Sequence, residues 1–580
     1  MAEPLIINNF QDGIAESPHL GFGLMRNVNI EEQPGAAKVN VEPETLFHTA
    51  YSSTFTSVAA TDVSTADETL PITGTAVKAT TTGTLPAGLT ANTVYIINRI
   101  TVSTFYFYNN ITNAEAGGAT GRINITDTGT GTHTVTTVNP GTVNHIIRDP
   151  RGGNRFLQDS NGRVWFGSAS PLLLLVNSVL DNAVVGSATL TNAAGNGIVL
   201  YKQNDSASTH YLLAFRNALI DIVDVYGDAE TNAPSWTNGW DFGGTASDST
   251  LNSGAGSGNR HHAIVGQDDI VYFTDGRFVG SIKQASGSTF DPATTSTYTG
   301  NDQALDTPTS EVLVHLEELG VNLLAASSTS HKIYPWDRVS DSFTLPLVVP
   351  EKNVHRMKNI GNTVYILAGS KGNIYSTTGS IVRFFKKIPE QMTNNAGTIT
   401  GSVITWGGIE AVNGALLVGL TGQTAANRGV YIIYPDGRVV MDEVPTTAGN
   451  VTALHVENNL YWLGHTGGAD WLGNGNRYAN FQAVIQSGLK RVATKTAKAT
   501  YSVLEVLVGK LITAATSSQV RIGYRTDSNS SFTTIATFSF ESSGDVLQKS
   551  DGIGLIDIEN IEIQAEMHGL VELVEIRLLP

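Results

Sequence analysis

Short apolar strand segments recur along residues 144–477, and this repeat constrains the fold more than any other feature of the sequence. Successive segments stand about 40–55 residues apart, a period typical of stacked or radially arranged units. The dipeptides Asn161-Gly162, Asp275-Gly276 and Asp436-Gly437 suit tight hairpins, which need positive φ. The seven segments occupy residues 163–167, 210–215, 269–273, 321–325, 363–369, 415–419 and 460–464.

Each repeated unit is predicted to form one small antiparallel sheet of about three or four strands. We expect the apolar segment to be the inner strand, facing a central axis. Radial repetition protects most of the strand edges that an open sheet would expose. The sequence therefore predicts a β-propeller of about seven blades over residues 144–477, with six or eight blades as alternatives.

The regions on either side of the repeat differ from it in composition and in strand pattern. Residues 1–55 are interpreted as an N-terminal arm with the first propeller strands. Residues 56–143, rich in Thr, Gly and Ala, predict a small inserted β-domain. Residues 478–580 carry long alternating strands, such as 519–525, and predict a C-terminal β-sandwich.

The composition favours an all-β chain. Only 15% of the 580 residues are charged, against about a quarter in ordinary domains, and 59 residues are glycine. Stretches rich in Ala, Leu, Glu and Lys, which favour helices, are almost absent. Cysteine is absent too, which excludes a disulfide scaffold, thiolate metal sites and cysteine nucleophiles.

Charge and hydropathy exclude two classes of partner. The formal net charge is −17, and the most basic stretches, residues 386–387 and 490–498, form no basic stripe, so we expect no specific binding of nucleic acid. The longest apolar run, residues 171–176, is too short to span a bilayer. Residues 1–10 lack a basic leader, so we expect synthesis in the cytoplasm without a secretory signal.

The search for catalytic motifs gives no enzyme signature. There is no G-x-S-x-G elbow, Walker loop or H-E-x-x-H helix. His261 and His262 are interpreted as loop or strand-entry residues, because no further ligand stands at a metal-binding spacing. Asp241 is the carboxylate that best suits a glycosidase, although a packed loop between blades is the favoured interpretation. We therefore predict a protein that is not an enzyme, with no catalytic residue, cofactor or metal.

Three tryptophans are the candidate contacts for a glycan or a protein partner: Trp236, Trp240 and Trp471. Tryptophan offers a large flat face with one polar group, which suits stacking on sugars and anchoring in interfaces. A cluster of these residues exposed around one concavity would favour glycan binding. Their burial between blades would favour a purely structural role.

The N-terminus resembles a known class of virion proteins. Residues 9–14 read Asn-Phe-Gln-Asp-Gly-Ile, and residues 33–40 read Gln-Pro-Gly-Ala-Ala-Lys-Val-Asn. Such openings are similar to those of minor tail and tail-nozzle proteins of tailed bacteriophages that carry propellers. In physical terms the segment is an extended arm, interrupted by Gly and Pro, that suits packing along a neighbour.

A second resemblance lies within the predicted inserted domain, over about residues 66–138. Residues 82–97 read Thr-Gly-Thr-Leu-Pro-Ala-Gly-Leu-Thr-Ala-Asn-Thr-Val-Tyr-Ile-Ile, and residues 127–135 read Asp-Thr-Gly-Thr-Gly-Thr-His-Thr-Val. They resemble a small β-module inserted in many phage tail and fibre proteins, with Val94 to Ile97 departing slightly from the usual tyrosine pair. The module brings no known catalytic residues.

These resemblances imply a structural component of a tailed-phage virion, in the tail, tail tip or nozzle. The implied partners are other virion tail proteins and further copies of the chain, in a ring or cluster that acts as an assembly scaffold. The alternative is a receptor-binding or glycan-binding tail protein. A glycan-degrading enzyme would require two carboxyl groups about 5–10 Å apart in an open pocket.

Overall fold

The fold is that of a computed structural model, which describes most of the chain between residues 3 and 580. The described residues are 3–8, 10, 24–26, 28–29, 37–39, 44–45, 51–71, 73, 75–91, 93–109, 111–137, 142–148, 155–160, 164–167, 176–180, 197–201, 210–216, 219–224, 237, 239–242, 251, 261–388, 405–421, 429–443, 450–457, 460–471, 483–487, 490–493, 498–509, 518–526, 531–540, 548–569 and 571–580. Strands dominate them, which confirms the predicted all-β class. The short helices are α1 (Ile111–Ala116) and a 3₁₀ turn at Thr295–Thr297.

Five short strands form the N-terminal arm. All five contain three residues or fewer, so their stability depends on the strands with which they pair. They are β1 (Leu5–Ile7), β2 (Leu24–Arg26), β3 (Val28–Asn29), β4 (Ala37–Val39) and β5 (Glu44–Thr45).

Six strands then close into a small barrel, in the order β10-β7-β6-β11-β8-β9. Their residues alternate between the barrel interior and solvent, as in β6, because successive side chains of a strand point to opposite faces. Phe55, Tyr95, Phe105 and Phe107 fill the interior with edge-to-face ring contacts. The strands are β6 (Ser52–Val58), β7 (Val63–Ala66), β8 (Ala76–Thr81), β9 (Val94–Arg99), β10 (Thr104–Tyr108) and β11 (His133–Thr137).

Seven small antiparallel sheets follow in the described part of the chain, each built mainly from consecutive strands. The first three contain β12 (Val143–Arg148), β13 (Arg155–Asp159), β14 (Val164–Gly167) and β15 (Val176–Leu180); β16 (Gly197–Tyr201), β17 (Tyr211–Phe215) and β18 (Ile220–Asp224); and β19 (Ala263–Val265), β20 (Val271–Asp275), β21 (Phe278–Gln284) and β22 (Tyr298–Asp306).

The next two sheets contain β23 (Leu313–Leu319), β24 (Asn322–Ser327), β25 (Lys332–Trp336) and β26 (Leu347–Val348); and β27 (Val354–Ile360), β28 (Thr363–Ala368), β29 (Asn373–Thr377) and β30 (Val382–Lys387). The last two contain β31 (Thr405–Val412), β32 (Ala415–Thr421), β33 (Gly429–Ile433) and β34 (Val439–Glu443); and β35 (Val451–Glu457), β36 (Leu460–His465), β37 (Gly468–Trp471) and the arm strand β5.

The first strands of these sheets form a closed ring. Contacts run from β12 through β16, β19, β23, β27 and β31 to β35, and β35 in turn contacts β12. The hydroxyl of Thr452 donates to the carbonyl oxygen of Val143 at 2.5 Å across this last junction. Radial sheets around a ring of innermost strands are the arrangement of a β-propeller.

The innermost strand of each sheet is not the one that the sequence indicated. In six sheets the apolar segment forms the second strand, such as β24 or β28, and in the first sheet the quoted segment is β14, the third strand. The expectation that the apolar segment faces the axis was therefore wrong. The second strands are apolar because they are buried on both faces between neighbouring sheets, whereas the first strands face the axis and carry polar residues.

Two further sheets form the C-terminal region, and their apolar faces share one core. One has the order β3-β4-β45-β40-β43, with β1 also on β45, and the other continues β34 through β2-β38-β44-β41-β42, with β39 on β44. The strands are β38 (Ala483–Gln486), β39 (Lys490–Arg491), β40 (Ala499–Val508), β41 (Ser518–Arg525), β42 (Thr533–Phe540), β43 (Gln548–Ile558), β44 (Asn560–His568) and β45 (Glu572–Leu579).

The N-terminal arm joins the C-terminal sheets to the ring of small sheets. Strand β5 pairs with β37 and completes the seventh sheet. Strand β2 lies between β34 of the sixth sheet and β38, with Arg26 opposite Met441 on one side. Phe10 and Met25 are fully buried in the core that these sheets share.

Candidate functional site

The first strands of all seven sheets surround a cavity of about 250 Å³ on the axis of the ring, which we call the channel. Its lining is mixed, with apolar residues, four histidines, two cationic side chains and two carboxylates. These polar residues are His145, His262, His315, Glu317, Arg356, Lys358, Glu410 and His455.

The polar residues lie in two layers. Six strands contribute two lining residues that are two positions apart, and such residues point to the same side of a strand. The register against the second strand shifts immediately before His145, His315, Arg356 and Ala453, so these four residues occupy equivalent positions in their sheets. The first layer is His145, Ile198, His262, His315, Arg356, Gly408 and Ala453, and the second layer is Ile147, Ile264, Glu317, Lys358, Glu410 and His455.

The first layer gathers four basic side chains. His262 stacks on His315, with ring centroids 3.7 Å apart and planes 23° apart. The backbone N–H of Leu316 donates to Nδ1 of His262 at 3.1 Å, so the neutral ring carries its proton on Nε2. Arg356 is buried, and its Nε–H donates to the carbonyl oxygen of Gly407 in the next sheet at 2.9 Å.

The second layer contains an ion pair between Lys358 and Glu410 and a third ionisable side chain, Glu317. Nζ of Lys358 lies 2.6 Å from a carboxylate oxygen of Glu410. Burial acts to lower the pKa of Lys358, but the attraction of Glu410 and Glu317 raises it overall, so this lysine remains charged.

The pKa of Glu317 differs from that of an ordinary glutamate. Burial raises the pKa of Glu317 to about 7, and the nearby Glu410 and Glu318 carboxylates act in the same direction. Lys358 and the backbone N–H of Asn359 oppose the rise without cancelling it. The channel therefore contains one carboxylate that is paired with a lysine, Glu410, and one carboxyl group whose pKa lies near neutrality, Glu317.

The chemistry of this site is that of hydrogen bonding and proton exchange. Among the described residues, no group of three His, Asp or Glu side chains converges to hold a metal ion. Glu317 titrates near neutrality and the first layer supplies N–H donors, so the channel can bind a polar ligand in a pH-dependent way.

Apart from His262, the sequence did not point to these residues. The sequence feature that could have identified the channel residues is the presence of polar residues before the apolar segments, as in Asn144-His145 or Glu317-Glu318. The apolar strand of each unit was expected to face the axis. The polar strand that precedes it was therefore not expected to line a site.

Of the three tryptophans selected from the sequence, the structure describes the side chain of Trp240 alone, and it lies outside the channel lining. The side chain of Trp240 is 2% exposed, packs against Phe290 and Tyr298, and donates from Nε1 to the carbonyl oxygen of Pro292 at 2.9 Å. In this position Trp240 is a core residue and offers no open face to a saccharide. Trp236 lies outside the described residues, and for Trp471 only the backbone is described, in β37 opposite Trp462.

The histidine pair selected from the sequence has two different roles. His261 is buried, with Nδ1 in a hydrogen bond of 2.7 Å to the carbonyl oxygen of Thr274 and 3.9 Å from Asp275. His262 belongs to the first layer of the channel. Both residues directly precede β19, in agreement with the strand-entry position expected from the sequence. The backbone oxygen of Asp241 accepts a hydrogen bond of 2.7 Å from the hydroxyl of Tyr298, in the packed region beside Trp240.

Comparison with solved structures identifies β-propellers. The chain is similar to the β-propeller domain of Cps50 (Swd1) from Myceliophteria thermophila, with TM-score 0.39, 9% identity, and coverage of 58% of this chain and 99% of that one. It is similar to virginiamycin B lyase from Staphylococcus aureus, with TM-score 0.39, 10% identity, and coverage of 58% and 96%. It is also similar to the WD40 propeller domain of Doa1, with TM-score 0.38, 12% identity, and coverage of 58% and 93%.

No family model and no curated protein matches the sequence. Likenesses with TM-scores below 0.4 carry no conclusion about this chain, and its fold is described from its own strands and sheets. No helix among the described residues is long and apolar enough to cross a membrane. The chain is a nearly all-β protein in which seven small sheets surround a closed ring of first strands, the arrangement of a β-propeller.

Proposed function

We propose that the protein is a structural component of a tailed-phage virion, located in the tail, tail tip or nozzle, and that it is not an enzyme. The observation that carries this proposal is the barrel of β6 to β11, which contains the two stretches that resemble the phage tail module. Thr84 and Thr130, one from each stretch, exchange backbone hydrogen bonds of 3.0 and 2.8 Å. The resembling stretches thus form one contiguous structural unit.

The residues of that motif are used in holding the barrel together. Gly129 and Gly131 both have positive φ, and a Cβ at either position would collide with the backbone of residues 83–85. His133 joins the hydroxyl of Thr81 at 2.9 Å and the carbonyl oxygen of Thr128 at 3.0 Å. A motif whose glycines and histidine serve the fold suits a module for display or packing.

The architecture that accompanies this function is a propeller of seven blades with the barrel inserted before it and a β-sandwich after it. The seven small sheets and their ring of first strands support the blade count. The sequence indicated domains at residues 1–55, 56–143, 144–477 and 478–580, and we keep these bounds except the first, which we move before β6 because Phe55 belongs to the barrel core. A rigid unit of this kind suits an assembly scaffold.

We further propose that the chain assembles with other virion tail proteins and with copies of itself in a ring or cluster. Exposed apolar side chains support contacts of this kind, since exposed apolar groups are typical of partner surfaces. Val321, Val339 and Leu345 are 78%, 88% and 87% exposed, and all three lie in loops of the fourth sheet.

Antibody-gold labelling of purified particles, viewed by electron microscopy, tests this function. We expect label at one fixed position on intact tails, and that position separates nozzle, tip and fibre. Particles treated with pre-immune serum are the control. Antigen confined to the lysate, with unlabelled particles, would contradict the virion role and direct attention to glycan binding by the free protein.

A further inference from the structure

The channel collects basic groups inside a strongly acidic chain. Although the formal net charge of the protein is −17, the first layer contains Arg356 and three histidines, and it contains no carboxylate. We propose that the channel binds a small oxyanion, a phosphate or a carboxylate group, held by the N–H donors of His145, His262, His315 and Arg356.

Contacts within the protein fix the tautomer or the orientation of these N–H donors. Because Leu316 N–H occupies Nδ1 of His262, its donor Nε2–H is fixed by the tautomer. His315 is held against the same ring by stacking, and Nε of Arg356 is held by Gly407. A site of held donors loses little side-chain entropy when a ligand binds.

The carboxylates of the second layer do not prevent anion binding. Two positions along a strand correspond to about 6.7 Å, so the second layer is set back from the first. Lys358 neutralises Glu410 at 2.6 Å, and Glu317 is about half protonated at neutral pH. With the histidines neutral, the two cationic side chains therefore at least balance the two carboxyl groups, and the channel carries no net negative charge at neutral pH.

The size of the channel limits the ligand. A cavity of about 250 Å³ takes an inorganic oxyanion or a small organic acid. The hydroxyl groups of such an acid would meet Glu317, Glu410 and His455 in the second layer, all of which can accept hydrogen bonds.

Binding is expected to tighten as the pH falls from 8 to 6. Over this interval Glu317, whose pKa burial raises to about 7, loses its negative charge and ceases to repel an anion. The groups that face the channel are His145 on β12, His262 beside β19, His315 and Glu317 on β23, Arg356 and Lys358 on β27, Glu410 on β31, and His455 on β35.

Isothermal titration calorimetry of the full chain tests the proposal with three probes: inorganic phosphate, acetate and sulfate. We expect saturable binding at millimolar concentration at pH 6. Phosphate without acetate would assign a phosphate ligand, acetate without phosphate would assign a carboxylate ligand, and binding of both would assign a general oxyanion site. Sulfate keeps the same charge between pH 6 and 8, so its pH series reports the protein alone, and we expect affinity at least about tenfold higher at pH 6.

The variants His262→Asn and His315→Asn identify the site. Asparagine places an amide oxygen near the former Nδ1, so it can still accept from Leu316 N–H, while the Nε2 donor is lost. We expect binding to weaken at least about tenfold, the effect of losing one hydrogen bond to a charged group. His331→Asn, on the same small sheet but outside the channel lining, should bind as the original protein does. Circular dichroism verifies that each variant is folded.

Three results would overturn the proposal. One is the absence of saturable binding of all three anions at pH 6. Another is an equal loss of affinity in His331→Asn and in the channel variants. The third is a sulfate affinity that does not change between pH 6 and 8, a measurement on the original protein that stands even where the variants fail to fold.

Discussion

The pKa of Glu317 depends on its burial and on the charged groups around it in the second layer of the channel. Glu317 is half-buried near the Lys358–Glu410 ion pair, and its burial raises its pKa to about 7. Lys358 is paired with Glu410, and its attraction for Glu317 does not offset the effect of burial on that carboxyl group. The uncharged form of Glu317 is therefore favoured until about pH 7.

We predict that Glu317→Gln stabilises the protein at pH 8 and has little effect at pH 5. The folded pKa of Glu317, about 7, lies above its ordinary value of 4.5, so its contribution to stability is complete below pH 4.5 and is lost as the pH rises through 7. Glutamine mimics the protonated form at every pH. The expected gain in the free energy of unfolding at pH 8, relative to pH 5, is about 1–3 kcal/mol.

Thermal unfolding followed by calorimetry at both pH values measures this effect. The exposed Glu3 supplies the control, and Glu3→Gln should shift the transition equally little at pH 5 and pH 8. A Glu317→Gln variant that is equally or less stable than the original protein at pH 8 would show that Lys358 already stabilises the ionised form of Glu317.

At the scale of the elements, the first and second strands of each small sheet differ in what surrounds them. The first strand faces the channel on one side and contains a register shift in five of the seven described sheets, which turns polar side chains toward the axis. The second strand is buried on both faces and is therefore a continuous apolar run, as in β20.

Close packing around the second strands leads to a prediction at Gly280 in β21. Gly280 lies opposite Phe273, whose buried ring covers the space that a Cβ at Gly280 would occupy. Gly280→Ala should therefore destabilise the protein by about 1–3 kcal/mol through overpacking. Denaturant unfolding followed by tryptophan fluorescence measures the change.

Gly552 in β43 is the matched control. It also lies in a strand, and a Cβ there would meet no atom within 4 Å. Gly552→Ala should leave stability unchanged or raise it slightly, because alanine restricts the unfolded chain more than glycine does. If the two substitutions had equal effects, the packing of Phe273 over Gly280 would not be the cause.

For the whole molecule, the N-terminal arm determines how the parts combine. The core that contains Phe10 and Met25 also contains residues of β32 and β33 in the sixth sheet and of β40 and β44 in the C-terminal sheets. A shared core of this kind couples the stability of the C-terminal region to that of the sixth sheet. The arm strand β5 couples the seventh sheet to the same N-terminal segment.

We predict that Phe10→Ala lowers the unfolding temperature of the sixth sheet and the C-terminal sheets together. Phe10 is fully buried, and deletion of such a ring costs about 3–5 kcal/mol. Hydrogen exchange with mass spectrometry measures this as a parallel loss of protection in β32 and in β44. Ile6→Ala is the control on the same arm, because Ile6 is 49% exposed and its truncation should change protection little.

An effect of Phe10→Ala confined to the C-terminal strands would show that the two regions unfold independently. The prediction therefore tests whether the shared core acts as one cooperative unit.

The sequence by itself determined the class of the fold and the place of its repeats. The 40–55-residue spacing, read with the low charge and the Asn-Gly and Asp-Gly turns, was sufficient for an all-β chain with a propeller, because apolar alternation and turn chemistry are local properties. The same local signals located the two stretches of the barrel motif.

The tertiary structure alone decided which strand faces the axis and which residues share the channel. His145 and His455 are separated by more than half of the chain, and they line one cavity because the ring closes between β35 and β12. Closure of this kind depends on packing between sheets, which leaves no local trace in the sequence. For the same reason the burial of Trp240 could not be distinguished in advance from exposure on a binding face.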